Sequence, residues 1–239
     1  KFKDLSVTAL VTAGIETNGG RVGDKASYTE NNGEIEKLNH GTINIIVSVN
    51  ANLPPRTLTR ALVTITEAKT AAIQELLEGS KYSHGIATGS GTDGTIVYAN
   101  LESENIYSDA GKHSKLGELL GKSVKKAVKE ALAKQSGLTP QRQKSVFRRF
   151  KRYGLNAEKI WNKYIKIKPE MLNKKLEYIE FIEKIEKDEK LVALTSLYIH
   201  LMDQFDWELL SKKIVEEECL NILRQITNLL EFDFKEIEK

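Results

Sequence analysis

The sequence predicts an α/β protein, a mixed β-sheet packed with two long helices, followed by an all-α helical C-terminal domain. Three observations predict it. Of the 16 Gly, 14 fall at or before Gly121, and only Gly137 and Gly154 follow. Short β-branched runs alternate with long helical periodicities in the first half, whereas the second half is Lys, Glu, Leu and Ile with few turn residues. Charge divides the chain again: residues 1–121 hold 11 Lys+Arg against 14 Asp+Glu, residues 122–152 hold 11 against 1, and residues 153–239 hold 14 against 18. The near-neutral net charge of +3 therefore hides a basic segment in mid-chain. The boundary falls at Gly137-Leu138-Thr139-Pro140, where Gly can end one helix, Thr139 can cap the next and Pro140 suits its first turn. This gives an α/β domain over 1–137 and a helical domain over 138–239.

Taken in order, Ser6–Ala13 and Thr42–Val49 have the β-branched content and length of buried strands, and Thr95–Ala99 is a shorter third. Pro54-Pro55 opens a helix that should run to Glu78 and stop at Gly79, with Leu58, Leu62, Ile65, Ala72 and Leu76 on one apolar stripe. A second helix is expected from His113 to Lys134, with Leu116, Leu119, Leu120, Val124, Ala127, Ala131 and Leu132 facing inward. On it, Gly117 and Gly121 would admit another backbone closely. The second half reads as helices over 140–152, 156–167, 170–187, 189–204 and 207–230. Trp161, Ile165, Tyr178, Phe181, Ile182, Leu194, Leu197, Leu201, Trp207 and Ile226 supply its apolar positions.

Composition removes whole classes. With 40% hydrophobic residues and 4 Pro in 239, the chain can build a core and is neither disordered nor collagenous. No run of about 18 apolar residues spans a membrane and no leader precedes a cleavage site, so a cytoplasmic protein is expected. Cys219 stands alone, which excludes an internal disulfide and a thiolate metal site. The chain begins at Lys1, not Met, which is expected of a chain with a further segment upstream. His40, His84, His113 and His200 show no zinc-binding spacing, so no metal site is expected.

The polar constellations are few. Ala87-Thr-Gly-Ser-Gly-Thr-Asp-Gly94 satisfies the dinucleotide fingerprint in form only, because a strand and not a helix follows it. The loop is either a ligand-approaching turn with three hydroxyls and a carboxylate or a plain hairpin. Lys69 lies on the apolar stripe of its helix and must either snorkel to the edge or sit beside a carboxylate. That carboxylate is not Glu67, which faces about 200° round the same helix. His113 at a helix start would be held neutral, available as a base, or else would serve as a cap. Arg142-Gln-Lys-Ser-Val-Phe-Arg-Arg-Phe-Lys-Arg152 is either a phosphate-holding surface or the solvated face of packed helices.

Five segments in sequence carry a resemblance. Val11-Thr-Ala-Gly-Ile-Glu-Thr-Asn-Gly-Gly-Arg21 with Gly23-Asp24, Gly41-Thr-Ile-Asn-Ile-Ile46, Thr66-Glu-Ala-Lys-Thr-Ala-Ala72, Ala87-Thr-Gly-Ser-Gly-Thr-Asp93 and Lys112-His-Ser-Lys-Leu-Gly-Glu-Leu-Leu-Gly121 resemble the successive motifs of the adenosylcobinamide amidohydrolases, the CbiZ type. The likeness covers about residues 6–135 and leaves the helical tail unmatched.

The resemblance implies hydrolysis of the amide joining aminopropanol to the corrin of adenosylcobinamide, giving adenosylcobyric acid in corrinoid salvage. It also implies sequence upstream of the first motif. The substrate is a corrinoid small molecule that brings its own cobalt, so no cofactor is expected. The ionisable side chains within the motifs are the catalytic candidates: Glu67 or Asp93 as base to a water, Lys69 or Lys115 on the oxyanion, and His113 as proton donor to the amine. Asn18, Thr42, Asn44, Ser90, Thr92 and Lys115 are the substrate-binding candidates, with Ser90 or Thr92 as nucleophile in a covalent alternative. The rival functions are a non-catalytic corrinoid-binding protein and a nucleic-acid-binding module using residues 122–152, the latter disfavoured by the acidic flanks. For the helical domain three roles stay open: a substrate lid, a surface for self-association into a homo-oligomer, and a partner-binding domain.

Overall fold

The structure is a computed structural model that describes residues 1–26 and 41–231, and it divides into two compact units, 1–140 and 141–239. The first unit is built on β1 (Val7–Ala13), β3 (Ile43–Val49) and β5 (Gly94–Ala99), in the order β1-β3-β5. A two-residue pair, β2 (Gly19–Gly20) and β4 (Gly89–Ser90), stands apart from that sheet. β1 runs antiparallel to β3, and β5 runs parallel to it. A parallel neighbour needs a crossover, and α1 (Pro55–Glu75) lies between β3 and β5 in the chain.

The strands were expected to be buried, and the structure buries one face of them. Ile43, Ile45, Val47 and Val49 of β3 are buried while Asn44 and Ile46 between them are exposed, and β1 alternates likewise. Helices therefore cover one face of the sheet. α1 packs on β5, α2 (Lys115–Ser136) packs on β1, and the two helices pack on each other. Their shared core holds Ile15, Ile65, Ala72, Ile73, Leu116, Leu120, Val124, Val128 and Leu132.

Both long helices depart from expectation at their ends. α1 stops at Glu75, short of Glu78, because Leu77 turns to φ 51° and Gly79 bridges Ile86. Leu62, expected on its inner stripe, is exposed, and Ala61 takes the inward place. α2 begins at Lys115, two residues after His113, because Ser114 is the true cap and accepts the Gly117 N–H. The inward positions of α2 gain Val128, which the sequence reading omitted, and Ala127 is only half-buried. Gly117 does meet another backbone, since a Cβ there would collide with the Gly111 carbonyl, whereas Gly121 faces open space. Gly137 closes α2 in the left-handed region, φ 66°.

The second unit is helical throughout its described residues: α3 (Pro140–Gln143), α4 (Val146–Phe150), α5 (Ala157–Ile167), α6 (Lys175–Ile185), α7 (Glu189–Asp206) and α8 (Lys212–Leu229), with 3₁₀ turns at Lys151–Tyr153 and Pro169–Lys174. The single helix expected over 140–152 is broken because Ser145 caps α4 and bonds Glu186 at 2.6 Å. The last helix starts at Lys212, not 207, because the chain turns through Glu208 at φ 58°. α7 packs on α4 and α8, and α5 packs on α6 and the Pro169–Lys174 turn. Trp161 is buried against Tyr164 and Tyr178, whereas Phe181, Leu197 and Trp207, which could have served a bundle core or a docking surface, are exposed.

The cations of 122–152 are largely engaged within their own units. Lys125 and Lys129 reach Glu75, Lys122 reaches Glu118, and Lys144 reaches Glu189. Arg152 grips Asp203 with two bonds of 2.6 Å, both side chains nearly buried. No helix among the described residues is long and apolar enough to cross a membrane.

Candidate active site

Sequence spacing puts Thr66, Lys69 and Thr70 on one face of α1, three and four residues apart. Opposite them lies the loop Thr88–Asp93, held by two devices. The β2–β4 pairing, Gly19 with Ser90 and Gly20 with Gly89, ties it to the segment after β1. The run of β5 alongside β3 then brings Asp93 to the start of β3, where it accepts the Ile43 N–H at 3.2 Å. Together these elements enclose a cleft of about 850 Å³, lined by Asn18, Lys69, Ser90, Thr92 and Asp93 among others.

Lys69 does not snorkel. Only 9% exposed, it forms an ion pair with Asp93, so the buried alternative with a carboxylate partner is the one the fold adopts. Asp93 is the hub. Its two oxygens take the Lys69 ammonium, the Ile43 N–H, the Ser90 N–H at 3.1 Å and the Ser90 hydroxyl at 2.6 Å. Four donors on one carboxylate fill its acceptor capacity and fix the positions of both Lys69 and Ser90. Gly89 makes this possible, because a Cβ there would stand 2.6 Å from Lys69 Nζ and nearer still to Asp93 Oδ2. Gly89→Ala is therefore expected to force the pair apart with all charges retained. Overpacking of this kind costs about 1–3 kcal/mol, to be read as a lowered melting temperature together with lost turnover; a variant with wild-type values of both would show that the pair has room to move.

The surrounding hydroxyls build the frame. Thr42 Oγ1 donates to the Thr92 carbonyl at 2.6 Å, Thr92 Oγ1 to the Gly41 carbonyl at 2.9 Å, and Thr70 Oγ1 to the Thr88 carbonyl at 3.1 Å. Asn18 is buried and donates to the Gly41 carbonyl, while its Oδ1 has no partner among the described residues. Asn44 faces Gly94, its Oδ1 2.9 Å from where a Cβ would be, and it lies outside the cleft lining.

The remaining candidates lie elsewhere. Glu67 pairs with Lys112 at 2.9 Å on a separate shallow groove between α1 and α2. Lys115 pairs with Glu118 and stands 4.7 Å over the Phe2 ring; that pairing, and a second one from Lys122, hold the Glu118 carboxyl down at about 2. His113 is exposed, ahead of the capped first turn of α2, and lines neither space. His40 lies outside the described residues. The structure thus brings together Asn18, Lys69, Ser90, Thr92 and Asp93, with Thr42 one bond behind, and leaves Glu67, His113 and Lys115 apart.

Cleft residues that sequence reasoning did not single out include Arg21, Asp24, Thr66, Thr70 and Tyr82. The 66/69/70 spacing was the available signal for the two threonines. Burial pushes the Asp24 carboxyl up, but hydrogen bonds from Ser80, Ser83 and the Arg21 N–H outweigh it and hold Asp24 below its usual range. Asp24 thereby locks the segment after β2 to the 80–83 turn, while Arg21 reaches the Ile86 carbonyl at 3.2 Å. Among the described residues no three of His, Cys, Asp and Glu cluster as metal ligands would.

Comparison with known proteins bears on the same half of the chain. The sequence profile of the family described as adenosylcobinamide amidohydrolase, CbiZ, matches residues 1–140. An uncharacterized protein of Methanocaldococcus jannaschii is 41% identical over 146 residues, covering 56% of this chain and 56% of that protein. The chain therefore spans little more than half the length of that relative. No solved structure matches. The profile match takes in the whole sheet, both long helices and the Lys69–Asp93–Ser90 cleft, more than half of the chain. The chain accordingly belongs to the adenosylcobinamide amidohydrolase family.

Proposed function

We propose that this protein hydrolyses the amide between aminopropanol and the corrin periphery of adenosylcobinamide, yielding adenosylcobyric acid and aminopropanol. The observation that carries this reading is the Lys69–Asp93–Ser90 cluster in the wall of the large cleft, within the family-matched residues. Amide hydrolysis needs a nucleophile, a proton acceptor and a cation for the developing oxyanion, and the cluster holds one of each. Cobalt belongs to the substrate and takes no part in the bond cleavage.

The hydroxyl of Ser90 donates to Asp93 Oδ1 at 2.6 Å, so its proton has a carboxylate within reach. Ser90 Oγ is accordingly the nucleophile. As it bonds to the amide carbon, its proton passes to Asp93 and the carbonyl π electrons move to the oxygen, which the Lys69 ammonium stabilises. The C–N bond then breaks, the amine leaves with the proton held by Asp93, and water cleaves the resulting ester to release the carboxylate and restore Ser90. Thr92 and Thr42 hold the loop that carries Ser90, and Asn18 fixes Gly41 beneath it.

The test is incubation of the purified protein with adenosylcobinamide and detection of both products. Their absence under reducing and non-reducing conditions would favour a corrinoid carrier. In the same assay Glu67→Gln and His113→Ala are expected to keep turnover within about threefold of wild type, since neither residue reaches the cleft. A thousandfold-scale loss in either would return that residue to the reaction.

A further inference from the structure

Three lysines line a second cavity, of about 350 Å³, whose lining residues all belong to the 141–239 unit. Lys159, Lys163 and Lys166 follow one another at four and three residues along α5 and so form one stripe. Asn162 and Tyr153 share the lining, which contains no Asp or Glu. Among the described residues none of the three ammonium groups is paired with a carboxylate, although Lys144, Lys174 and Lys212 of the same unit are. Like charges at these spacings repel, and a bound anion removes that cost.

The backbone makes room for the cluster. Gly154 takes a left-handed turn at φ 71°, and Lys159 Nζ lies 3.4 Å from where a Cβ would stand, so the ammonium is seated over the turn. The floor is braced. Arg152, bound twice to Asp203, lies over the Tyr153 ring at 4.9 Å, and burial foremost pushes the Tyr153 hydroxyl up to about 12, so the ring is held neutral in place.

The geometry points to a phosphate-ester site: a ligand with two or more adjacent phosphate groups, bound by Lys159, Lys163 and Lys166, with Asn162 and the Tyr153 ring beside its organic part. Lysines serve as point-charge partners to phosphate, and the cavity is within the size range of small-ligand sites. The phosphates can come from a free nucleotide or from the backbone of a nucleic acid. This site is independent of the amide-cleaving cleft.

Binding of ATP and of a single-stranded oligonucleotide of about 12 residues is to be measured on the full chain by calorimetry and fluorescence anisotropy. The Lys159→Gln/Lys163→Gln/Lys166→Gln variant is expected to weaken binding at least about tenfold, whereas Lys184→Gln/Lys187→Gln/Lys190→Gln, equal in charge and in the same unit, changes it less than about twofold. ATP retained one to one, with no gain from the oligonucleotide, supports the site with a nucleotide as its ligand. A tighter, steeply salt-dependent oligonucleotide, lost in the same variant, supports it with a nucleic-acid backbone as the source. Equal losses in both variants, or no binding of either probe by the wild type, overturn the proposal.

Discussion

Replacing Lys69 by Met is expected to cost stability and turnover together, and adding Asp93→Asn is expected to restore the first without the second. The side chains of the pair are only 11% and 14% exposed, so removing the cation alone leaves a carboxylate with little water to solvate it. Breaking a buried pair from one side costs about 3–5 kcal/mol, and the residual exposure here puts the expected loss near 3 kcal/mol. For a unit of this size that is a fall in melting temperature of about 8 °C. Asp93→Asn removes the stranded charge and still accepts from Ile43 and Ser90, so most of the loss should return in the double variant. Turnover should not return, because loss of one oxyanion-stabilising group lowers kcat by about 10²- to 10³-fold. Melting curves and product release on the wild type, the single variant and the double variant decide the matter. A double variant with wild-type turnover would make the ion pair a structural feature only, and a single variant with an unchanged melting curve would show the pair to be better hydrated than its burial indicates.

That pair also shows how far the sequence could be read. Lys69 was conspicuous on periodicity alone, since a cation on an apolar stripe has two outcomes and both are physical. Its partner was not legible, because Asp93 reaches it through 24 residues of chain and the register of β5 on β3. Helix interiors came through well for the same reason that helix ends did not. The stripe of α2 is a property of spacing, but its start depends on Ser114, not His113, finding the Gly117 N–H. The strands were recognised by β-branched content, which does not report whether one face or two will be covered; Ile46 and Leu10 look as buried as Ile45 until α1 and α2 are seen on a single side. Sequence motifs grouped Glu67 and His113 with Lys69, yet motif membership carries no direction. A two-residue offset on α1 turns Glu67 away to Lys112, and the Ser114 cap leaves His113 outside the helix it was expected to open.

The nucleophile gives the sharpest remaining contrast. Ser90→Ala is expected to lower turnover at least about a thousandfold while costing only about 1–2 kcal/mol of stability, since the bond its hydroxyl donates to Asp93 and the one it accepts from the Thr92 N–H are lost from a half-exposed loop where water can replace them. Corrinoid binding, followed by its visible absorbance, should be little changed. The wild type, mixed with substrate and quenched early, should carry a mass addition equal to the cobyryl group at Ser90, and hydroxylamine should release it as a hydroxamate; Ser90→Ala should carry none. Thr92→Ala is the comparison for a loop-holding role, because its hydroxyl donates to the Gly41 carbonyl and makes no hydrogen bond to Asp93. If Ser90→Ala retains more than about a tenth of wild-type turnover, the vacated space beside Asp93 admits a water that reacts directly, and the covalent step is wrong even though Lys69 and Asp93 keep their places. If Thr92→Ala instead abolishes turnover and Ser90→Ala does not, the loop turns by two residues on binding substrate and the resting hydrogen bonds describe a closed precursor, not the reacting geometry.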